Sequence, residues 1–251
     1  MKIVVAIKAV PDDQDILVAG DRSLDYSKAK STVSTYDLNA MEVAAQLKDS
    51  IAGSSAVAMS AGPASADDSK LKKNVLARGI DELFMVCGDE YSNIDSLGTA
   101  QALSSLLETV GGYDLILCGD GSADNFSQQV DVQLAAKLGI PVVNAAKKIT
   151  PVDGGIEVER VLEDFVETVF VTLPAVVSVV PDAATPRIPG MKDILAAGKK
   201  PANVSGVSES LPGGNEVVSC LAPVQMERQC DVKEASEEAI AEFVAALKAA
   251  L

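Results

Sequence analysis

The residues best suited to ligand chemistry lie in one run, Leu117-Cys118-Gly119-Asp120-Gly121-Ser122-Ala123-Asp124-Asn125-Phe126-Ser127-Gln128-Gln129. It leaves the C-terminal end of an apolar strand, where open α/β sheets bind their ligands. Two glycines allow close backbone approach. Ser127 stands where it would cap the next helix, and the free N–H groups of a helix start suit a phosphate. The run is not a P-loop, because no Gly-Lys-Ser/Thr follows. Nucleotide binding and an ordinary βα turn both explain this spacing.

Three further segments carry weaker signals. Ser60-Ala61-Gly62-Pro63 reads first as a tight turn and lacks the Gly-Gly-x-Asp-Ser pattern of ATP pyrophosphatases. The first turn, Ala6-Ile7-Lys8-Ala9-Val10-Pro11, has no glycine fingerprint. Lys8 there reads as a solvated charge. Between Arg187 and Lys200, four cations (Arg187, Lys192, Lys199, Lys200) face one Asp193, a local charge of +3 on a chain of −15. Met191 follows Pro189-Gly190, and a flexible apolar side chain among positive charges suits a docking loop. A surface loop followed by a helix suits the same residues.

Composition narrows the chemistry. The 251-residue chain has no His, which removes His-based triads and most metal sites. Its four cysteines, Cys87, Cys118, Cys220 and Cys230, form no C-x-x-C pair. Cys87 and Cys118, at the ends of apolar strands, are expected to be buried thiols. The charge of −15, aromatics at 4% and the absence of Trp argue against nucleic acid. No apolar run reaches the roughly 18 residues of a membrane span, so membrane insertion is not expected. The opening residues are too short for a signal peptide, and a cytoplasmic location is the default expectation.

The elements that must position these residues alternate. Strands are expected at Lys2–Ile7, Ser55–Met59, Glu82–Val86, Asp114–Cys118 and Ala175–Val179. Helices are expected at Asp37–Lys48 (N-cap Thr35 or Asp37), Ala66–Arg78, Asp95–Val110 and Ser127–Leu138, the last three ended by Gly79, Gly111 and Gly139. From about Val142 the rhythm changes, and Ile156–Leu162 with Glu167–Thr172 reads as an antiparallel hairpin. Residues 202–233 read as an extended arm. Glu234–Leu251 reads as an amphipathic helix with Ala239, Ile240, Phe243, Ala246 and Leu247 on one face. The expected fold is α/β: a doubly wound, mostly parallel sheet of adenine-nucleotide-binding type, with an appended hairpin and a C-terminal arm. The division is 1–202 for the nucleotide-binding domain, including a docking loop at 186–200, and 203–251 for the arm and last helix.

Several segments in one order resemble the beta subunit of electron-transfer flavoprotein. They are KIVVAIKAVPDDQDI, STYDLNAMEVAAQLK, LILCGDGSADNFSQQV, VERVLEDFVET, LPAVVSVV and PRIPGMKDILAAGKKP, together spanning residues 1 to about 202. The variant it looks most like is associated with carnitine and crotonobetaine reduction or related anaerobic acyl-CoA pathways. The resemblance implies an electron carrier without catalytic side chains of its own. It implies a heterodimer in which an alpha subunit holds most of the redox FAD, and a buried AMP of structural role in the beta subunit. Redox partners would be an acyl-CoA dehydrogenase or reductase, with a quinone oxidoreductase as a further candidate.

The resemblance also implies sites. The AMP contacts fall on Ala6, on the segment from Ser34 that includes Tyr36 and Asp37, on Ala61, and on the loop Gly121, Ser122, Ala123, Asp124, Asn125, Phe126, Ser127, Gln128, Gln129 and Val130. Many relatives have Asn-Pro-Phe where this chain has Ser34-Thr35-Tyr36. Electron-bifurcating relatives hold a second FAD there, contact NADH, and read Asp-x-x-Thr-Ala-Gln-x-Gly-Pro. Asp124 and Gln129 fit that pattern and Ser127 is close to it, but Gln128, Asp131 and Val132 do not, which favours AMP. Met191 takes the position that inserts into a partner dehydrogenase, flanked by Arg187 and Lys192. Glu167 takes the position that meets a moving flavin domain. The rival from another class is a universal-stress-type ATP-binding regulator, which would be a flavin-free homodimer.

Overall fold

The computed structural model describes residues 1–206, 213–224 and 230–250. Contacts divide the chain into two units, Met1–Leu17 with Asp25–Ser219, and Val18–Leu24 with Cys220–Leu251.

The first unit is built on apolar strands buried on both faces. β1 (Lys2–Ala6) shows why: Ile3 and Val5 enter one core cluster, Val4 and Ala6 the other. That period-two division needs cover on both sides of a sheet. A short antiparallel pair follows, β2 (Ala9–Pro11) with β5 (Ser31–Val33), and between them a ribbon of β3 (Leu17–Val18) with β4 (Leu24–Asp25). Then come α1 (Thr35–Ser50), β6 (Ser55–Gly62), α2 (Ser69–Leu76), β7 (Glu82–Cys87), α3 (Ser96–Val110), β8 (Leu115–Gly119) and α4 (Val130–Leu138). α1 and α2 bury Met41, Leu47, Leu71 and Val75 on one face of the sheet, and α3 and α4 bury Leu103, Leu106 and Leu134 on the other.

Next come β9 (Val142–Val152), β10 (Gly155–Val161), β11 (Val166–Thr172), β12 (Ala175–Val179), α5 (Met191–Ala197) and β13 (Ala202–Ser205). The nine-stranded sheet has the order β11-β10-β9-β12-β8-β1-β6-β7-β13. Strands from β9 to β13 in that order are parallel, and β10 and β11 extend the sheet antiparallel. The mostly parallel α/β fold is therefore as expected, hairpin included. From β1 the chain winds out through β6 and β7, then returns to β8 on the other flank. The order reverses between β1 and β8, the position at which the crevice of an open α/β sheet binds ligands.

Several boundaries differ from expectation. The N-cap of α1 is Ser34, not Thr35 or Asp37. α2 starts only at Ser69, where the Asp68 carboxylate accepts from the N–H groups of Lys70 and Leu71. α4 starts at Val130 and not at Ser127, because Phe126 and Gln128 hold left-handed backbone (φ +47° and +53°) that a right-handed helix cannot include. Gly111 and Gly139 end α3 and α4 in the left-handed conformation, as expected. β9 escaped the sequence pattern because it carries exposed Asn144, Lys147 and Lys148 and a register shift where Ala145 has φ +56°. Residues 202–205, expected in the arm, instead add strand β13 beside β7. Cys118 is buried, but Cys87 is only half-buried.

In the second unit, Ser23 bridges Leu221 and the Arg22 carbonyl accepts from the Ala222 N–H. Its helix α6 (Glu237–Ala250) has no buried residue among those described. No helix among the described residues is long and apolar enough to cross a membrane.

Candidate functional site

The crevice is assembled by one carboxylate. Asp37, in the first turn of α1, is buried. Its Oδ2 accepts from the Lys8 N–H at 2.7 Å, just past the end of β1. Its Oδ1 accepts from the Gly119 N–H at 3.2 Å, at the end of β8. Asp37 thus ties together the two strand ends that flank the switch point. Burial pushes its carboxyl up to about 7, against the pull of the two N–H groups and the Lys8 charge. Gly119 is required by the same closeness: a Cβ there would lie 2.7 Å from Tyr36 Cβ and 2.8 Å from Asp37 Oδ1.

The loop from Asp120 to Gln129 folds back over this clamp. Lys8 Nζ pairs with Asp124 at 2.7 Å, so Lys8 is part of the site and not merely a solvated charge. Burial raises the Asp124 carboxyl, but Lys8, the Ser122 hydroxyl and the Asn125 N–H outweigh it and hold it below its ordinary value. The Ser34 hydroxyl, fully buried, accepts from the Ala123 N–H at 3.2 Å. Phe126 N–H donates to Ser122 O at 3.2 Å and Ser122 Oγ at 3.3 Å. Gln128 Nε2 donates to Asp120 Oδ2 at 2.9 Å, and Ser96 Oγ to Gln129 Oε1 at 2.8 Å. Gln129 is the N-cap of α4 and gives its N–H groups no side-chain partner, but the Asp131 carboxylate in the first turn accepts from the N–H groups of Asp131 and Val132.

Most of the residues expected at a nucleotide are therefore neighbours. Tyr36, Asp37 and the loop from Gly121 to Val130 surround the β1 and β8 ends. Ala6 and Ala61 end β1 and β6 on the face covered by α3 and α4. Asn125 and Ser127 are exposed, and Ser127 does not cap α4. Gly121 has no space for a side chain, since a Cβ would fall 2.3 Å from the Phe126 ring. The sequence pattern missed Lys8, which it read as a solvated charge. It also missed Ser178, whose hydroxyl donates to Asp120 at 3.4 Å and which also bonds Asp131. Burial chiefly, and the Asp120 charge, raise Asp131.

The basic segment divides into anchors and an exposed face. Arg187 grips Glu42 with Nε at 2.7 Å and Nη2 at 3.1 Å. Burial raises Glu42, but Arg187 and Gln46 outweigh it and hold it low. Lys200 Nζ donates to the carbonyls of Leu76 and Ile80. Lys192 remains exposed. Met191, the first residue of α5, is 75% exposed, and Ile188 beside it is 92% exposed. Sequence reading picked Met191 and passed over Ile188, which has the same apolar chemistry and no periodicity to mark it. Glu167, on the edge strand β11, pairs with Arg160 at 3.0 Å.

The arrangement sets Lys8 and a closely packed loop at the strand ends, with small residues at Ala6 and Ala61, and a separate exposed apolar face at Ile188 and Met191. It presents no nucleophile paired with a base among the described residues. The family model for the electron transfer flavoprotein domain matches residues 23–210, well over half of the chain.

Proposed function

The chain belongs to the electron transfer flavoprotein family, and from that premise we infer that it is the beta-type subunit of a heterodimeric electron carrier. Members of this family are electron carriers that involve flavin and meet other redox proteins. In the proposed assembly an alpha-type subunit holds the redox FAD, and this chain contributes position and electrostatics. Its own crevice takes an adenylate, AMP in preference to a second FAD. The observation that carries this is Lys8, just past the end of β1, paired with Asp124 of a loop so closely packed that Gly121 has no room for a Cβ. A lysine at the strand ends suits a phosphate monoester. Lys8 would hold the phosphate, while Ala6 and Ala61 would admit the nucleoside.

The dehydrogenase or reductase of acyl-CoA type docks on Ile188, Met191 and exposed Lys192. Arg187 anchors that segment from beneath. Glu167 lies on the surface facing the flavin-bearing partner. Residues 1–205, β13 included, form the nucleotide-binding part, and the C-terminal segment beyond them serves assembly with the partner. Co-expression with the alpha-type subunit, followed by counting FAD and AMP released on heating, tests the reading. One FAD and one AMP per heterodimer is the expected result. Two FAD and no AMP would transfer the site to a bifurcating carrier. A flavin-free homodimer would overturn the assignment.

A further inference from the structure

The exposed apolar face is carried by an element that cannot aim itself. α5 has seven residues, and only Ala197 among them is buried. A helix this short has little stability of its own in water, so its direction comes from the chain on either side. At the far end Lys200 Nζ holds the carbonyls of Leu76 and Ile80. At the near end the chain leaves β12 at Val179 and passes along α1 before it reaches Arg187. There Asn39, buried in α1, donates from its side-chain amide to Pro181 O at 2.9 Å and to Ala184 O at 2.8 Å. Three residues on, along the same face of the helix, the Glu42 carboxylate accepts from the Arg187 N–H at 3.1 Å and from its guanidinium. Arg78 Nη1 donates to Arg187 O at 2.5 Å. α1 is a firm base for these bonds. Ala40, Met41, Ala44 and Ala45 are fully buried, and Asp37 ties its first turn to the β1 and β8 ends.

We propose that Asn39 is a positioning residue for partner docking: its amide sets the direction in which Ile188 and Met191 are presented. The proposal rests on the docking reading above. One attachment at Arg187 would leave the chain before it free to swing. The second attachment, at Pro181 and Ala184, fixes a direction. A primary amide suits the task, because its two N–H donors can serve two carbonyls at once. A buried carbonyl that loses its donor is costly, so the segment does not keep its course without Asn39. It must then be ordered at the moment of docking. The loss falls on affinity for the partner and not on electron transfer within the complex.

The test uses the whole heterodimer as the varied substrate of a purified acyl-CoA dehydrogenase, with its acyl-CoA as the electron source. Asn39→Leu keeps the branched shape and removes both donors. It is expected to raise the apparent KM by about 3- to 10-fold. The kcat, the flavin content and the rate of reduction by dithionite should stay as in wild type. In the Ile188→Ala/Met191→Ala background the same substitution should change KM by less than about twofold, because little is left to present. An unchanged or lowered KM for Asn39→Leu overturns the proposal. So does a loss carried by kcat, or an equal rise of KM in both backgrounds, which would make Asn39 a structural residue only. Should Asn39→Leu fail to assemble, Asn39→Ser, which keeps one donor, supplies the same comparison. If Ile188→Ala/Met191→Ala alone leaves KM at its wild-type value, the docking reading itself falls, a result seen before Asn39 is changed.

Discussion

A single buried carboxyl group sets the pH behaviour of the crevice. Asp37 is pushed up to about 7 in the folded chain, against an ordinary value of 3.8. Between those values the folded state holds a proton that the unfolded chain has lost, so stability falls as pH rises from about 4 to about 7. The shift corresponds to something on the order of 4 kcal/mol once both are ionised. Asp124 and Glu42 are held low and act in the opposite direction. Comparison with Asp37→Asn therefore isolates the effect. Chemical denaturation at pH 4.5 and pH 8 should show the variant gaining on the wild type as pH rises. A gap that stays constant across that range would mean Asp37 titrates normally. Lys8 and Asp37 also mark the limit of sequence reading at this scale. Neither the pairing of Lys8 with Asp124, 116 positions away, nor the bridge from Asp37 to Gly119 leaves a local pattern. Both exist only after β1 and β8 lie side by side.

Elements were legible where periodicity and caps agreed. α3 was foreseen over Asp95–Val110 with its Gly111 stop, and the structure differs only in making Asp95 the N-cap. α4 was foreseen too long, since a serine in capping position says nothing of the left-handed residues around it. β9 and β13 were missed because edge and bulged strands carry polar residues that blunt the alternation. The segment before α5 shows a further consequence of tertiary context. Arg187, counted from sequence as a free positive charge, is spent on Glu42. Arg187→Ala leaves that buried carboxylate without its guanidinium partner, and a loss of about 2 kcal/mol is expected after allowing for the exposure of the guanidinium. Limited proteolysis should then cut between 186 and 200 sooner than in wild type. Equal resistance would show that α5 is held by other contacts. The exposed face next to it behaves differently. Ile188→Ala and Met191→Ala should each raise the apparent KM of a partner dehydrogenase for the carrier by about tenfold, from loss of about 1.5 kcal/mol of apolar burial. Flavin content and melting temperature should not move. An unchanged KM in both variants would remove the docking assignment.

At the scale of the whole molecule, the doubly wound sheet was readable because strand and helix alternate for 140 residues with little interruption. What lies beyond 206 was less so: polar, aperiodic stretches fix no partner element. α6 sits at the far end of that segment with Ile240, Phe243 and Leu247 exposed. A helix whose apolar stripe is this exposed is marginal in water. Hydrogen exchange of the chain alone should show Glu237–Ala250 exchanging within seconds, and co-expression with the alpha-type subunit should slow it at least a hundredfold. Equal rates in both samples would place the assembly surface elsewhere.

The sheet also works as a ruler. Glu167 stands on β11, one outermost strand, while α5 packs beside α2 and runs directly into β13, the other outermost strand. Eight strand spacings separate those edges, about 40 Å. If the first edge faces the flavin-bearing partner and the second receives the dehydrogenase, one fixed flavin cannot reach both. The carrier would then have to ferry its redox centre across the breadth of this subunit, with the sheet as the rigid track that sets the length of the stroke.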